Sequence, residues 1–206
     1  MLVDGVLHYN TPLLPVQSED NSDRGIINNR TLSTQGMPQG LKQTSSTVPI
    51  GFSLSESAAN TFTQLQVDLN LSPLDREVFV VQAVNLDPES PDNVDKTNTF
   101  TNCSLTTTSQ TAIATLGEAN CLAVAQQRIQ SVPGTGIAVA FQQQSLETPP
   151  STMDYIGIIA TNDFFVQVLG GNNANPKGVS GKLYGYRAQA TADIYAALVQ
   201  SEVLSA

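Results

Sequence analysis

Lys182–Leu198 reads KLYGYRAQATADIYAAL, and its apolar residues fall at every second position: Tyr184, Tyr186, Ala188, Ala190, Ala192, Ile194, Ala196 and Leu198. Arg187, Gln189, Thr191 and Asp193 lie between them. A period of two predicts a β-strand with one buried and one wet face. The small residues after the tyrosines would let another layer approach closely. Ala188, Ala190, Ala192 and Ile194 are therefore the candidate assembly face.

Outward from this stretch the chain continues in short β-type runs. Residues 64–71, QLQVDLNL, alternate with Leu65, Val67, Leu69 and Leu71 on one face. Residues 77–86, EVFVVQAVNL, are almost continuously apolar, as expected of a strand covered on both sides. Residues 103–116 are rich in Thr and predict a half-exposed strand. Residues 116–130 fit either period, and the reading leans to a turn followed by a strand. Residues 136–142 predict a strand with Ile137, Val139 and Phe141 inward, and residues 154–161 and 163–169 a hairpin-like pair around Asn162. A loop rich in Gly and Asn leads into the final strand. About eight strands joined by loops of Gly, Pro, Asn and Ser predict an all-β domain, a β-sandwich or jelly-roll-like body over 51–206.

Ahead of that body the pattern stops. Residues 17–47 hold no aromatic residue and no sustained period. Such a segment cannot offset its own ordering entropy, about 1–2 kcal/mol per residue. Residues 1–50 are thus expected to form an extended N-terminal arm that gains order only by lying on another surface.

Composition narrows the function. Of 206 residues, 13% are charged, about half the usual ~25%, and polarity comes instead from Thr, Ser, Gln and Asn. Such a surface loses little when pressed against a partner. Nine basic residues stand against eighteen acidic ones, a net charge of −9, and the basic ones are scattered. Phosphate binding needs clustered Lys and Arg, so no nucleic-acid partner is expected. The segment Glu56–Asp95 holds eight carboxylates and reads as a solvated acidic face.

Catalytic chemistry finds no constellation. His8, the single histidine, sits in the arm, away from any nucleophile and acid that could complete a triad. Cys103 and Cys121 form no C-x-x-C pair, so no structural zinc is expected; whether they pair with each other stays open. The loop 170–178, GGNNANPKG, has a phosphate-loop flavour without the required Lys-Ser/Thr spacing. The loop 87–95 has four carboxylates but fails the EF-hand pattern, with Pro91 fifth and Asp92 sixth. No enzyme activity, cofactor or metal is expected. There is no apolar run of membrane length and no basic n-region at the start, so neither a membrane partner nor a signal peptide is expected, and synthesis in the cytoplasm is expected.

An extended polar arm, a strand-rich body and a surface poor in charge together resemble virion structural proteins, in which sandwich domains tile a shell and arms cross neighbours. The resemblance is to a class and rests on no diagnostic motif, so no functional residues carry over from it. It implies a capsid or capsid-decoration subunit located in the virion. Its partners would be itself, as a homotrimer, and other capsid proteins. The acidic balance departs from capsid proteins with basic, genome-binding arms and favours an outer position. An adhesin or carbohydrate-binding module is the alternative.

Overall fold

The apolar run at 77–86 is buried from both sides. In the computed structural model, which describes residues 39–131, 137–143, 145–147 and 154–204, it forms the central part of strand β4 (Glu77–Pro88). Phe79, Val81, Val84 and Leu86 point into one core, Val78 and Val80 into another. The step from Val81 to Val84 spans three residues, which a regular pleat cannot do. A bulge resolves it: Tyr184 pairs with Ala83 and Gly185 with Val81, leaving Gln82 as the extra residue. At that point a side chain on Gly185 would run into the Val80 carbonyl oxygen and the Phe79 ring.

The other strands are β1 (Leu41–Gln43), β2 (Val48–Ser55), β3 (Thr63–Asp68), β5 (Thr99–Thr106), β6 (Cys121–Ser131), β7 (Ala138–Gln143), β8 (Ser145–Glu147), β9 (Gly157–Ile159), β10 (Asp163–Gly171) and β11 (Gly178–Ala190). One helix, α1, spans Ala192–Leu204. Every strand pair is antiparallel, and the pairs are nested: β2 with β11, β3 with β10, β4 with β8 and β9, β5 with β6. A long hairpin rolled upon itself gives this nesting, the double-sheet jelly roll. One sheet runs β1/β2–β11–β4–β8/β9, and the other β3–β10–β5–β6–β7. The all-β sandwich predicted from the sequence is thus observed.

Between the sheets lie Phe52, Val81, Val84, Leu86, Val179 and Leu183 from one side and Cys103, Leu105, Ala123, Ala125, Phe164, Val166 and Val168 from the other. Phe52 and Phe164 meet edge to face at 5.8 Å. Cys103 is buried here, and loss of hydration pushes its thiol up to about 12; Cys103 and Cys121 stand as separate thiols.

The sequence reading is corrected at three places. First, the alternating run ends at Ala190, and residues from Ala192 form α1. Ile194 and Leu198 are four apart and so satisfy both periods. Alanine at 192, 196 and 197 favours the helix, as does Asp193 in its first turn. Second, residues 157–159 and 163–171 form no hairpin: β9 joins β4 in one sheet, β10 joins β3 and β5 in the other. Third, Val139 and Phe141 of β7 do not face inward but are 45% and 53% exposed.

The turn and strand expected over 116–130 are found, with β6 starting at Cys121. The Thr-rich stretch contributes β5, more buried than expected, and then a loop. Residues 107–120 lie beside the outer face of the second sheet over a buried polar network. There the fully buried Gln167 donates to Thr106 Oγ1 at 2.7 Å and accepts from Ser104 Oγ at 2.8 Å. Of the arm region, residues 41–43 and 48–50 are already strand, paired along β11; residues 1–38, with His8, lie outside the described residues.

Candidate assembly surfaces

The outer face of the first sheet carries Val78 and Val80 from β4 and Tyr186, Ala188 and Ala190 from β11. Helix α1 lies on it, with Ile194, Tyr195, Leu198 and Val199 packed against this second core. The two alanines allow the close approach expected of them, and the layer that approaches is the chain's own helix. Ala188 and Ala190 are 0% and 2% exposed. Ala192 is exposed on the far side of α1, and Ile194 is half-buried beneath it. The four candidate residues therefore do not share one surface.

Two hydrogen bonds pin the far end of the helix. Glu202, 8% exposed, accepts from the Ala160 amide at 3.0 Å and the Thr161 amide at 2.8 Å. Burial raises its carboxyl above the ordinary range, against the pull of those two amides. The exposed residues of α1 are Ala192, Asp193, Ala196, Ala197, Gln200, Ser201, Val203 and Leu204. All but Asp193, Gln200 and Ser201 are apolar, so the exposed side of the helix is mostly apolar.

A second exposed apolar surface is the β7 edge of the other sheet. All six residues of β7, AVAFQQ, are exposed. Its outer face continues over Val124 and Arg128 of β6 into a groove of about 280 Å³, also lined by Ile113 and Leu116.

The chemical candidates are used up in holding loops. Glu56, 5% exposed, accepts from the amides of Asn60 (3.3 Å), Thr61 (3.0 Å), Gly170 (2.6 Å) and Lys177 (2.8 Å). The amides at the ends of the Gly/Asn loop that a phosphate would want are thus taken by the protein's own carboxylate. From the acidic loop, Asp92 accepts from Lys177 Nζ at 2.6 Å and from the Asn175 amide at 2.9 Å. These bonds, the lysine foremost, hold its carboxyl below the ordinary value. Among the described residues no three of His, Cys, Asp and Glu converge as a metal site. Glu77 pairs with Arg187 at 3.0 Å, so the Glu56–Asp95 segment is partly internal wiring rather than a purely solvated face. Sequence reasoning missed Glu56 and Glu202. The only signal available for them was an acid placed near a loop or a helix end, which does not distinguish a buried carboxylate from an exposed one.

The nested strand pairing and the two charge-poor surfaces place the protein in the class of jelly-roll domains. No protein-family model matches the chain, and no curated protein matches it. Among solved structures it is similar to Desmodium yellow mottle tymovirus, at 9% identity and a TM-score of 0.27, covering 76% of this chain and 95% of that one. It is also similar to Cocksfoot mottle virus, at 12% identity and a TM-score of 0.30, covering 88% and 96%. Both are virus structures. At these TM-scores the fold assignment rests on the chain's own strand pairing.

Proposed function

We propose that the protein is a virion structural protein, a subunit of a capsid shell or of its outer decoration, acting through protein–protein contacts and not as an enzyme. The observation that carries this reading is α1. A helix whose exposed side is mostly apolar fits a larger packed body, and the exposed side of this one carries Ala192, Ala196, Ala197, Val203 and Leu204 in the single chain. Ala192 lies on that outward side, so the assembly face expected from the sequence becomes, in this proposal, the outer surface of α1 standing on Ala188 and Ala190. The N-terminal arm expected over residues 1–50 would, in this proposal, reach across to a neighbour. In this proposal the symmetric unit is a homotrimer, closed cyclic assemblies being the usual form of soluble homo-oligomers.

The jelly roll by itself supports other roles, because fold does not dictate function. A carbohydrate-binding module would use exposed aromatic platforms. Tyr186 is buried, and Tyr155 and Tyr195 pack against the second core. This supports assembly over sugar recognition.

The test is the size of the full-length protein in solution across a concentration series. Trimers or larger closed assemblies are expected, and a monomer at high concentration would overturn the reading. Among the described residues Lys177 and Arg187 are hydrogen-bonded to carboxylates and Lys96 lies 3.7 Å from Asp95. A gel-shift titration at ~150 mM salt is therefore expected to show no nucleic-acid binding; micromolar binding would revive an inner, genome-facing position.

A further inference from the structure

Every sheet has edges, and an edge strand offers unpaired N–H and C=O groups to any strand that arrives. In this protein the edges differ in their protection. β1 carries Lys42, β2 carries Pro49 and β3 carries Asp68, while β8 and β9 are three residues long. Charges, prolines and shortness are the usual devices that stop edge-to-edge pairing. β7 has none of them. It is six residues long, uncharged and free of proline, and its register with β6 runs without a bulge from Ser131↔Ala138 to Gln126↔Gln143. Among the described residues it is paired on one side only.

We infer that β7 is a docking strand for β7 of a second copy of this chain, pairing antiparallel about a twofold axis through Ala140. The inference deepens the assembly reading above and rests on it. Charge selects this edge. Two chains of net charge −9 repel each other, yet residues 119–146 contain no carboxylate and a single charge, Arg128. The β6–β7 edge is thus where two copies approach with least repulsion. Geometry selects the register. With Ala140 opposite Ala140 of the second copy, Val139 faces Phe141 of the other chain on one face of the joined sheet, twice over. Aromatic and β-branched cross-strand neighbours are a favourable combination. The same residue meets the same residue across the axis, so the contact closes and cannot propagate as a fibre. A six-residue edge is smaller than the ~800 Å² per partner of a stable dimer interface. The contact is therefore concentration-dependent alone and firm only where other contacts assist it.

Cross-linking in the full-length chain tests the axis. Directly opposed residues in an antiparallel pair have Cα atoms about 4.5–5.5 Å apart, within disulfide reach. Ala140→Cys is expected to give oxidised dimers well above the wild-type background, whereas Gln142→Cys, opposite residue 138 of the other copy, stays at background. Phe141→Glu is expected to reduce self-association at least tenfold in analytical ultracentrifugation, with the monomer's melting temperature unchanged. If the chain still assembles but Ala140→Cys does not cross-link, or if Phe141→Glu associates like wild type, the β7 contact is overturned while the assembly reading stands. A wild-type chain that stays monomeric at all concentrations overturns both.

Discussion

The outer faces of the two sheets meet opposite fates. On the first, β11 and β4 present Ala188, Ala190, Val78 and Val80, and α1 covers them. On the second, residues 107–120 lie over β5 and β10, while Val139 and Phe141 of β7 stay 45% and 53% exposed. Both runs alternate in the sequence and both predict one buried face. Alternation reports that a strand has an apolar side. It does not report whether that side is covered by the same chain, by another copy or by nothing.

The largest effect that would break this contrast is an arginine under the helix. Ala188→Arg places a charge where there is no exposure and no partner, and should cost more than about 4 kcal/mol and abolish cooperative folding. Ala192→Arg, on the outward side of α1, should change the thermal midpoint little and act on assembly instead. Equal melting curves for the two would mean that α1 does not cover β11.

Next comes the pin at the far end of the helix. Glu202→Ala leaves the Ala160 and Thr161 amides without their acceptor and should cost about 1–3 kcal/mol in a denaturant titration. Because burial raises the Glu202 carboxyl, the folded state takes up its proton more readily than the unfolded chain. Protonation linked to Glu202 therefore adds stability as pH falls from neutral through the raised value, levelling off below the ordinary one. Glu202→Gln should remove that component. A wild-type pH dependence identical to that of Glu202→Gln would refute it.

Asp92 should behave with the opposite sign. Its lowered carboxyl contributes stability that is fully present above the ordinary value and lost as pH falls through the lowered one. The readout is local: cleavage of the 87–95 loop by an acid-active protease should rise over that window, and in Lys177→Met it should already be high at the upper end of the window.

The smallest effect sharpens the contrast from the other side. Phe141→Ser should leave the monomer's stability within about 0.5 kcal/mol, as is usual for exposed positions. A larger loss would mean that Phe141 packs inside the protein after all.

Much of the fold was legible as pattern. The continuous apolar run 77–86 announced a strand covered on both sides, and β4 is one, because a residue pair such as Val80 and Val81 must bury in opposite directions. Alternation at 64–71 and the β6 region read correctly for the same reason: side-chain direction in a strand is set by the backbone itself. The hairpin expected around Asn162 failed because pairing is a long-range choice. β9 and β10 are neighbours in sequence, but the roll sends one to β4 and the other to β3 and β5. The covering of β11 was legible only in part. The smallness of Ala188 and Ala190 correctly implied a close layer, but nothing local indicates that the layer begins two residues later in the same chain.

By itself, then, the sequence determined the strand class, the two-sided burial of β4, the poverty of charge and the absence of a basic patch, since each depends on composition or on short-range periodicity. Only the tertiary structure decided where β11 yields to α1, which carboxylates are buried as loop pins, and which apolar edge is left open. Those outcomes depend on what packs against a segment, and a residue's neighbours in space come from parts of the chain that a local pattern cannot see.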